Sequence, residues 1–112
     1  MLAGMPTAAP EQDVFRAIAD PARRAILDRL ARQGPTPALD LGVGFDGSQP
    51  ALSKHLRVLR DAHLVRVRRD GRNQLYTIAP APLASVERWI SLYRSFWESR
   101  LDALARHLDR RS

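Results

Sequence analysis

Beyond Pro80 and Pro82, apolar side chains recur at helical spacing at Val86, Trp89, Ile90, Tyr93, Phe96, Trp97, Leu101, Leu104 and Leu108. At 1.5 Å per residue such a helix is roughly 40 Å long. A chain of 112 residues can bury one modest core. A band carrying two Trp, a Tyr and a Phe exceeds what the remaining elements of so small a domain can cover. The band therefore predicts a second subunit packed against this helix.

Upstream, the chain divides into short elements. From Glu11 to Ala19, Val14, Phe15 and Ile18 mark a first helix, which Asp20-Pro21 interrupts. Asp20 then caps a second helix with Pro21 at its first position, and Ile26, Leu27 and Leu30 form its buried stripe until Gly34-Pro35. Residues 37–45 read as a weak third helix, because Gly42 and Gly44 each cost up to about 1 kcal/mol relative to Ala. Asp46-Gly47 marks a turn. Ser48 caps a fourth helix running to about Ala62, with Pro50 in its first turn. On it Leu52, Leu56 and Leu59 share one face, while Gln49, Ser53, Lys54, Arg57 and Arg60 point mostly away. Two β-prone runs, 64–69 and 73–78, flank Asp70-Gly71-Arg72, which predicts a hairpin with an arginine-rich tip. The expected fold class is mainly α with a small β-hairpin. Residues 1–10 lack the basic start and longer apolar run of a signal peptide and are read as a flexible tail, leaving 11–110 as a single domain.

Charge narrows the partners. Eighteen Lys and Arg against twelve Asp and Glu give a net charge of +6, which favours a polyanion. Seven of those basic residues lie between Ser48 and Asn73 against Asp61 and Asp70, so +5 of the charge falls on the fourth helix and hairpin. The absence of Cys excludes disulfides, thiolate metal sites and thiol nucleophiles, and fits a cytoplasmic protein. No stretch is apolar enough to span a bilayer.

A helix about 10 to 12 Å across fits the major groove of double-stranded DNA, where Gln pairs with adenine and Arg with guanine. An adjacent hairpin can bring Arg68, Arg69 and Arg72 to the backbone or minor groove. His55 beside Ser53 has neither the oriented base nor the oxyanion site that a nucleophile needs, so an enzyme is not expected. His63, between fourth helix and hairpin, reads as structural. The aromatic band of the last helix fits a dimer core, with a small-molecule pocket as the alternative. The Arg run of the hairpin fits DNA contact, with a solvated hairpin as the alternative.

The segments Phe15-Arg-Ala-Ile-Ala-Asp-Pro-Ala-Arg-Arg-Ala-Ile-Leu27 and Ser48-Gln-Pro-Ala-Leu-Ser-Lys-His-Leu-Arg-Val-Leu-Arg60 resemble the two signature segments of the ArsR family of winged-helix repressors. The similarity continues through the hairpin and Tyr93-Arg-Ser-Phe-Trp97, covering roughly residues 11 to 108. It implies a winged helix-turn-helix of order α1-α2-α3-α4-β1-β2-α5, a homodimer built on the first and last helices, and repression at a palindromic operator. Carried over, it implies DNA contact by Ser48, Gln49, Pro50, Ser53, Lys54, His55 and Arg57 on the recognition helix, and by Arg68, Arg69, Arg72 and Asn73 in the wing. The dimer interface would comprise Val14, Phe15, Val86, Trp89, Ile90, Tyr93, Phe96, Trp97, Leu101 and Leu104. Metal-sensing members carry a Cys-x-Cys pair in the third helix or Asp, His and Glu ligands on the last. Here the third-helix stretch is Ala38-Leu-Asp-Leu41, and His107 lies well round the helix from Asp102. The chain thus looks similar to the metal-independent branch: no metal or other cofactor is expected, and no effector can be named. Gly47 departs from that branch, where a large apolar residue usually packs into the turn. A winged-helix module acting through protein contacts is the alternative function.

Overall fold

Asp20 is where the chain changes direction. Its carboxylate accepts the N–H groups of Ala22 at 2.8 Å and Arg23 at 3.4 Å, satisfying donors that the first turn of a helix leaves without partners. The computed structural model describes residues 11–111, so the expected tail, 1–10, lies outside the described residues. The elements are α1 (Glu11–Ala19), α2 (Pro21–Gln33), β1 (Thr36–Pro37), α3 (Ala38–Leu41), α4 (Gln49–Asp61), β2 (Val65–Asp70), β3 (Asn73–Ile78), a 3-10 turn (Ala81–Leu83) and α5 (Ala84–Arg111).

The five helices and the hairpin follow in the expected order, with a short strand and the 3-10 turn in addition. Thr36 and Pro37 pair antiparallel with Tyr76 and Leu75, so the hairpin becomes a three-stranded sheet of order β1-β3-β2. The hairpin strands are therefore numbered β2 and β3. A two-residue strand that begins just after Gly34-Pro35 leaves almost no periodicity to read, and the sheet edge supplies its partners.

The third helix is shorter than residues 37–45. It ends at Leu41, and Gly42, Val43 and Phe45 continue as tight turns whose N–H groups donate to the carbonyls three residues back. Arg29 of α2 gathers the carbonyls of this stretch, donating to Asp40 at 2.7 Å, which also accepts the Val43 N–H, to Val43 at 2.8 Å and to Leu41 at 3.4 Å. One guanidinium thus fixes the approach to α4. Gly47 has an equally local reason: a Cβ there would meet the Phe45 ring at 2.7 Å, so Phe45 fills the space that a large side chain at position 47 would need.

α4 ends in a Schellman turn. Leu64 N–H donates to the Leu59 carbonyl and His63 N–H to the Arg60 carbonyl, both at 2.9 Å, with His63 at φ 61°. His63 is exposed, so its backbone does the structural work and its ring does not.

The core is formed chiefly by Leu30, Leu52, Leu59 and Leu64 with Val14, Ile26, Leu27 and Tyr76. Val14 was expected at a subunit interface; at 2% exposure it belongs instead to the core of its own chain, beneath α1. α5 contributes little to that core. Ser85 is its one buried residue among those described, and Val86 packs at the margin. The Cα radius of gyration is 18.9 Å, against about 13 Å for a compact chain of this length, because most of α5 projects from the body.

Candidate nucleic-acid interface

Burial of Leu52, Leu56 and Leu59 decides which way the rest of α4 faces. Ser48 caps the helix, its Oγ accepting the Ala51 N–H at 3.2 Å. Ser48, Gln49, Pro50, Ser53, Lys54 and Arg57 are all exposed, as sequence periodicity requires. His55 departs from this group. It is half-buried, its Nδ1 lies 3.3 Å from the Arg23 guanidinium, and its ring stands edge-on to Phe45 with centroids 6.0 Å apart. The structure turns His55 toward α2 and the α3–α4 turn, because it sits at the rim of the leucine stripe.

The hairpin lies beside α4. Val65 and Val67 face inward, while Arg66 and Arg68 alternate outward, as the period of two dictates. Asp70 and Asn73 pair across a two-residue loop in which Gly71 takes φ 63°, a conformation suited to glycine. Arg68, Arg69, Arg72 and Asn73 are exposed at this tip, and Arg69 Nε donates weakly to the Gly71 carbonyl at 3.4 Å. Among the described residues, the side chains of Gln49, Ser53, Lys54, Arg57, Arg68 and Arg72 hold no hydrogen bond or ion pair within the chain. Their donors are available to an external acceptor.

Between α4 and β3 runs a polar crevice lined by Gln49, Ser53, Arg57, Arg60 and Gln74, with Tyr76 at its floor. Arg60, outward on α4, and Gln74 lie outside the set of interface residues expected from the sequence. The register of β3 against α4 is tertiary, and only the outward phase of Gln74 on its strand could have hinted at it. Arg23 lies outside that set as well, because its contact with His55 spans 32 residues of sequence.

Asp20 lies at the base of this region, with a shifted ionisation. Burial raises the pKa of Asp20, but the amides of Ala22 and Arg23 and the charges of Arg23 and His55 outweigh it. They hold the carboxyl below its ordinary value. Among the described residues no group of three or more His, Asp or Glu is placed to hold a metal ion, and no helix is long and apolar enough to cross a membrane.

The expected interface of α5 separates into two parts. Phe15 and Trp89 meet edge-on at 5.8 Å, and Trp89 meets Tyr93 at 5.4 Å, which joins α1 to the start of α5. Val86 and Ile90 are half-buried against the same chain. Tyr93, Phe96, Trp97, Leu101 and Leu104 lie on the exposed stretch, with Leu101 64% exposed.

A basic, outward-facing helix presented by a helix-turn-helix, with an arginine-tipped hairpin at its side, defines a winged helix-turn-helix DNA-binding protein. Comparison with known proteins agrees. A helix-turn-helix domain family matches residues 18–68. The HTH-type transcriptional regulator Rv2034 of Mycobacterium tuberculosis is 37% identical over 95 residues, 85% of each chain. The transcriptional repressor SdpR of Bacillus subtilis is 36% identical over 78 residues, 70% of this chain and 86% of that one. Among solved structures, the ArsR family transcriptional regulator RHA00566 superposes with a TM-score of 0.68 at 37% identity, covering 78% of this chain and 94% of the other. A homodimeric winged helix-turn-helix DNA-binding domain from Mycobacterium bovis superposes with a TM-score of 0.59 at 28% identity, covering 75% and 77%. The chain belongs to the ArsR family of transcriptional regulators, and it is a regulator rather than an enzyme.

Proposed function

We propose that the chain is a homodimeric repressor, acting in the cytoplasm, that occupies a palindromic operator by placing two α4 helices in successive major grooves. The observation that carries this reading is the row of unpaired, exposed polar and basic side chains on α4 beside the hairpin tip. Gln49 and Ser53 read base edges, and Lys54 and Arg57 hold phosphates at the rim of the groove. Arg68, Arg69, Arg72 and Asn73 contact the backbone beside it, adding affinity that depends on salt more than on sequence. The exposed face of α5, with Trp97 at 54% and Leu104 at 52%, is far more apolar surface than a monomer keeps in water. A second copy covers it and sets the two α4 helices on a twofold axis.

The test is a titration of the purified protein against DNA from upstream of its own gene, with a scrambled duplex of equal length, at two salt concentrations. Preference for the upstream duplex is expected to persist at the higher salt. Equal, salt-sensitive binding to both would move the operator elsewhere, and a selection from random duplexes that enriched no sequence would refute specific binding.

A further inference from the structure

The bonding of Arg23 is not explained by DNA contact, since the residue lies on α2 and its side chain is only 14% exposed. Its Nε donates to the Ala17 carbonyl at 2.7 Å and Nη2 to the Arg16 carbonyl at 2.9 Å, which caps the end of α1. Its Nη1 lies 3.9 Å from the Asp20 carboxylate and 3.3 Å from Nδ1 of His55 on α4. Arginine only donates, so the contact is a hydrogen bond in the His55 tautomer whose Nδ1 accepts. Phe45 closes the other side of the imidazole. One guanidinium therefore joins the end of α1, the cap of α2 and the recognition helix.

We propose that the Arg23–His55 contact is a joint that sets the roll of α4 against the body of the domain, with His55 a positioning residue rather than a reader of bases. The proposal rests on the operator-binding reading above. α4 is held to the core by a stripe of three leucines, Leu52, Leu56 and Leu59. Apolar packing is not directional and only weakly resists rotation of a helix about its own axis, whereas a charge-assisted hydrogen bond is directional. His55 stands at the edge of the stripe, where such a bond has most leverage on roll. Roll displaces Gln49 and Ser53 relative to base edges, where paired hydrogen bonds need fixed geometry. Long arginine side chains follow the phosphates through the same movement. The joint thus acts on specific binding and leaves non-specific binding in place. It also shares its clamp with α1, whose Phe15 meets Trp89 of α5, so the pose of α4 is tied to the helix that carries the exposed apolar face.

The experiment uses the full chain, a duplex selected from a random pool by the wild-type protein, and a scrambled duplex of the same length. Arg23→Gln and His55→Phe are each expected to lower the ratio of selected to scrambled affinity about tenfold, with scrambled binding unchanged and the double variant no worse than either single. His55→Asn, which keeps an acceptor near the position of Nδ1, retains most of the preference. Arg23→Lys keeps the charge without the fork and loses it, and carries the test should Arg23→Gln fail to fold. Full preference in both Arg23 variants, with His55→Phe changing the base selected at one position, would make His55 a base reader and overturn the proposal. Equal losses on both duplexes in step with a fall in Tm would reduce the contact to fold stability and overturn it as well. A wild-type chain that enriches no duplex would overturn the operator-binding reading, and this one with it.

Discussion

His63 holds a left-handed backbone at the end of α4 without the freedom that glycine has there. An L-residue in this conformation costs on the order of 1 kcal/mol, so His63→Gly is expected to raise stability by up to that amount in a denaturant titration, and a loss would show that the ring contributes. Asp20 makes a second prediction. Its folded pKa is depressed, so its contribution is present above the unfolded value of 3.8 and disappears as pH falls through the lower folded value. Asp20→Asn keeps an acceptor for the α2 cap and should flatten the acid limb of a stability profile below about pH 4; an unchanged limb would locate the dependence in another carboxylate. Both caps were legible in the sequence up to a point. Asp20-Pro21 announces its own role, whereas the turn at His63 lacks the glycine that normally signals one. The half-burial of His55 was not legible for a related reason. Its phase on the helix lies at the boundary between buried and exposed faces, and only Arg23 and Phe45, from other elements, decide the side.

Among the elements, α2, α4, the hairpin and α5 were readable because each has a long periodic pattern or a strong turn signal. α3 and β1 were not, since their extents are set by tertiary partners: Arg29 collecting three carbonyls in one case, and Tyr76 with Leu75 offering a sheet edge in the other. Arg29→Met is expected to destabilise the protein by about 1 to 3 kcal/mol, chiefly through the carbonyls of Leu41 and Val43, which lose their side-chain donor. It should raise hydrogen exchange in residues 40–47 first; uniform loss of protection would mean that the arginine acts on the whole fold. On α5, Leu101→Arg with Leu104→Arg is expected to give a folded species that sediments as a monomer, since both residues are exposed within one chain. A dimer that survives both changes would move the interface off this face.

On the scale of the whole molecule, the concentration of charge on α4 and the hairpin makes affinity a function of salt as well as of sequence. Arg72→Ala should weaken binding to all duplexes and lower the slope of log K against log salt by about one per protomer, while Gln49→Ala should relax base preference with little change of slope. Equal effects of the two on selected and scrambled DNA would contradict the division between reading and holding. The family and the fold were legible from two linked segments. The geometry that joins α1, α2 and α4 was not, because it depends on side chains that periodicity alone treats as surface. The central claim concerns two copies on one operator, and hydroxyl-radical footprinting of the selected duplex tests it most directly. Two protected half-sites are expected, related by a dyad and centred about 34 Å apart, one turn of the duplex. A single unpaired half-site would contradict it.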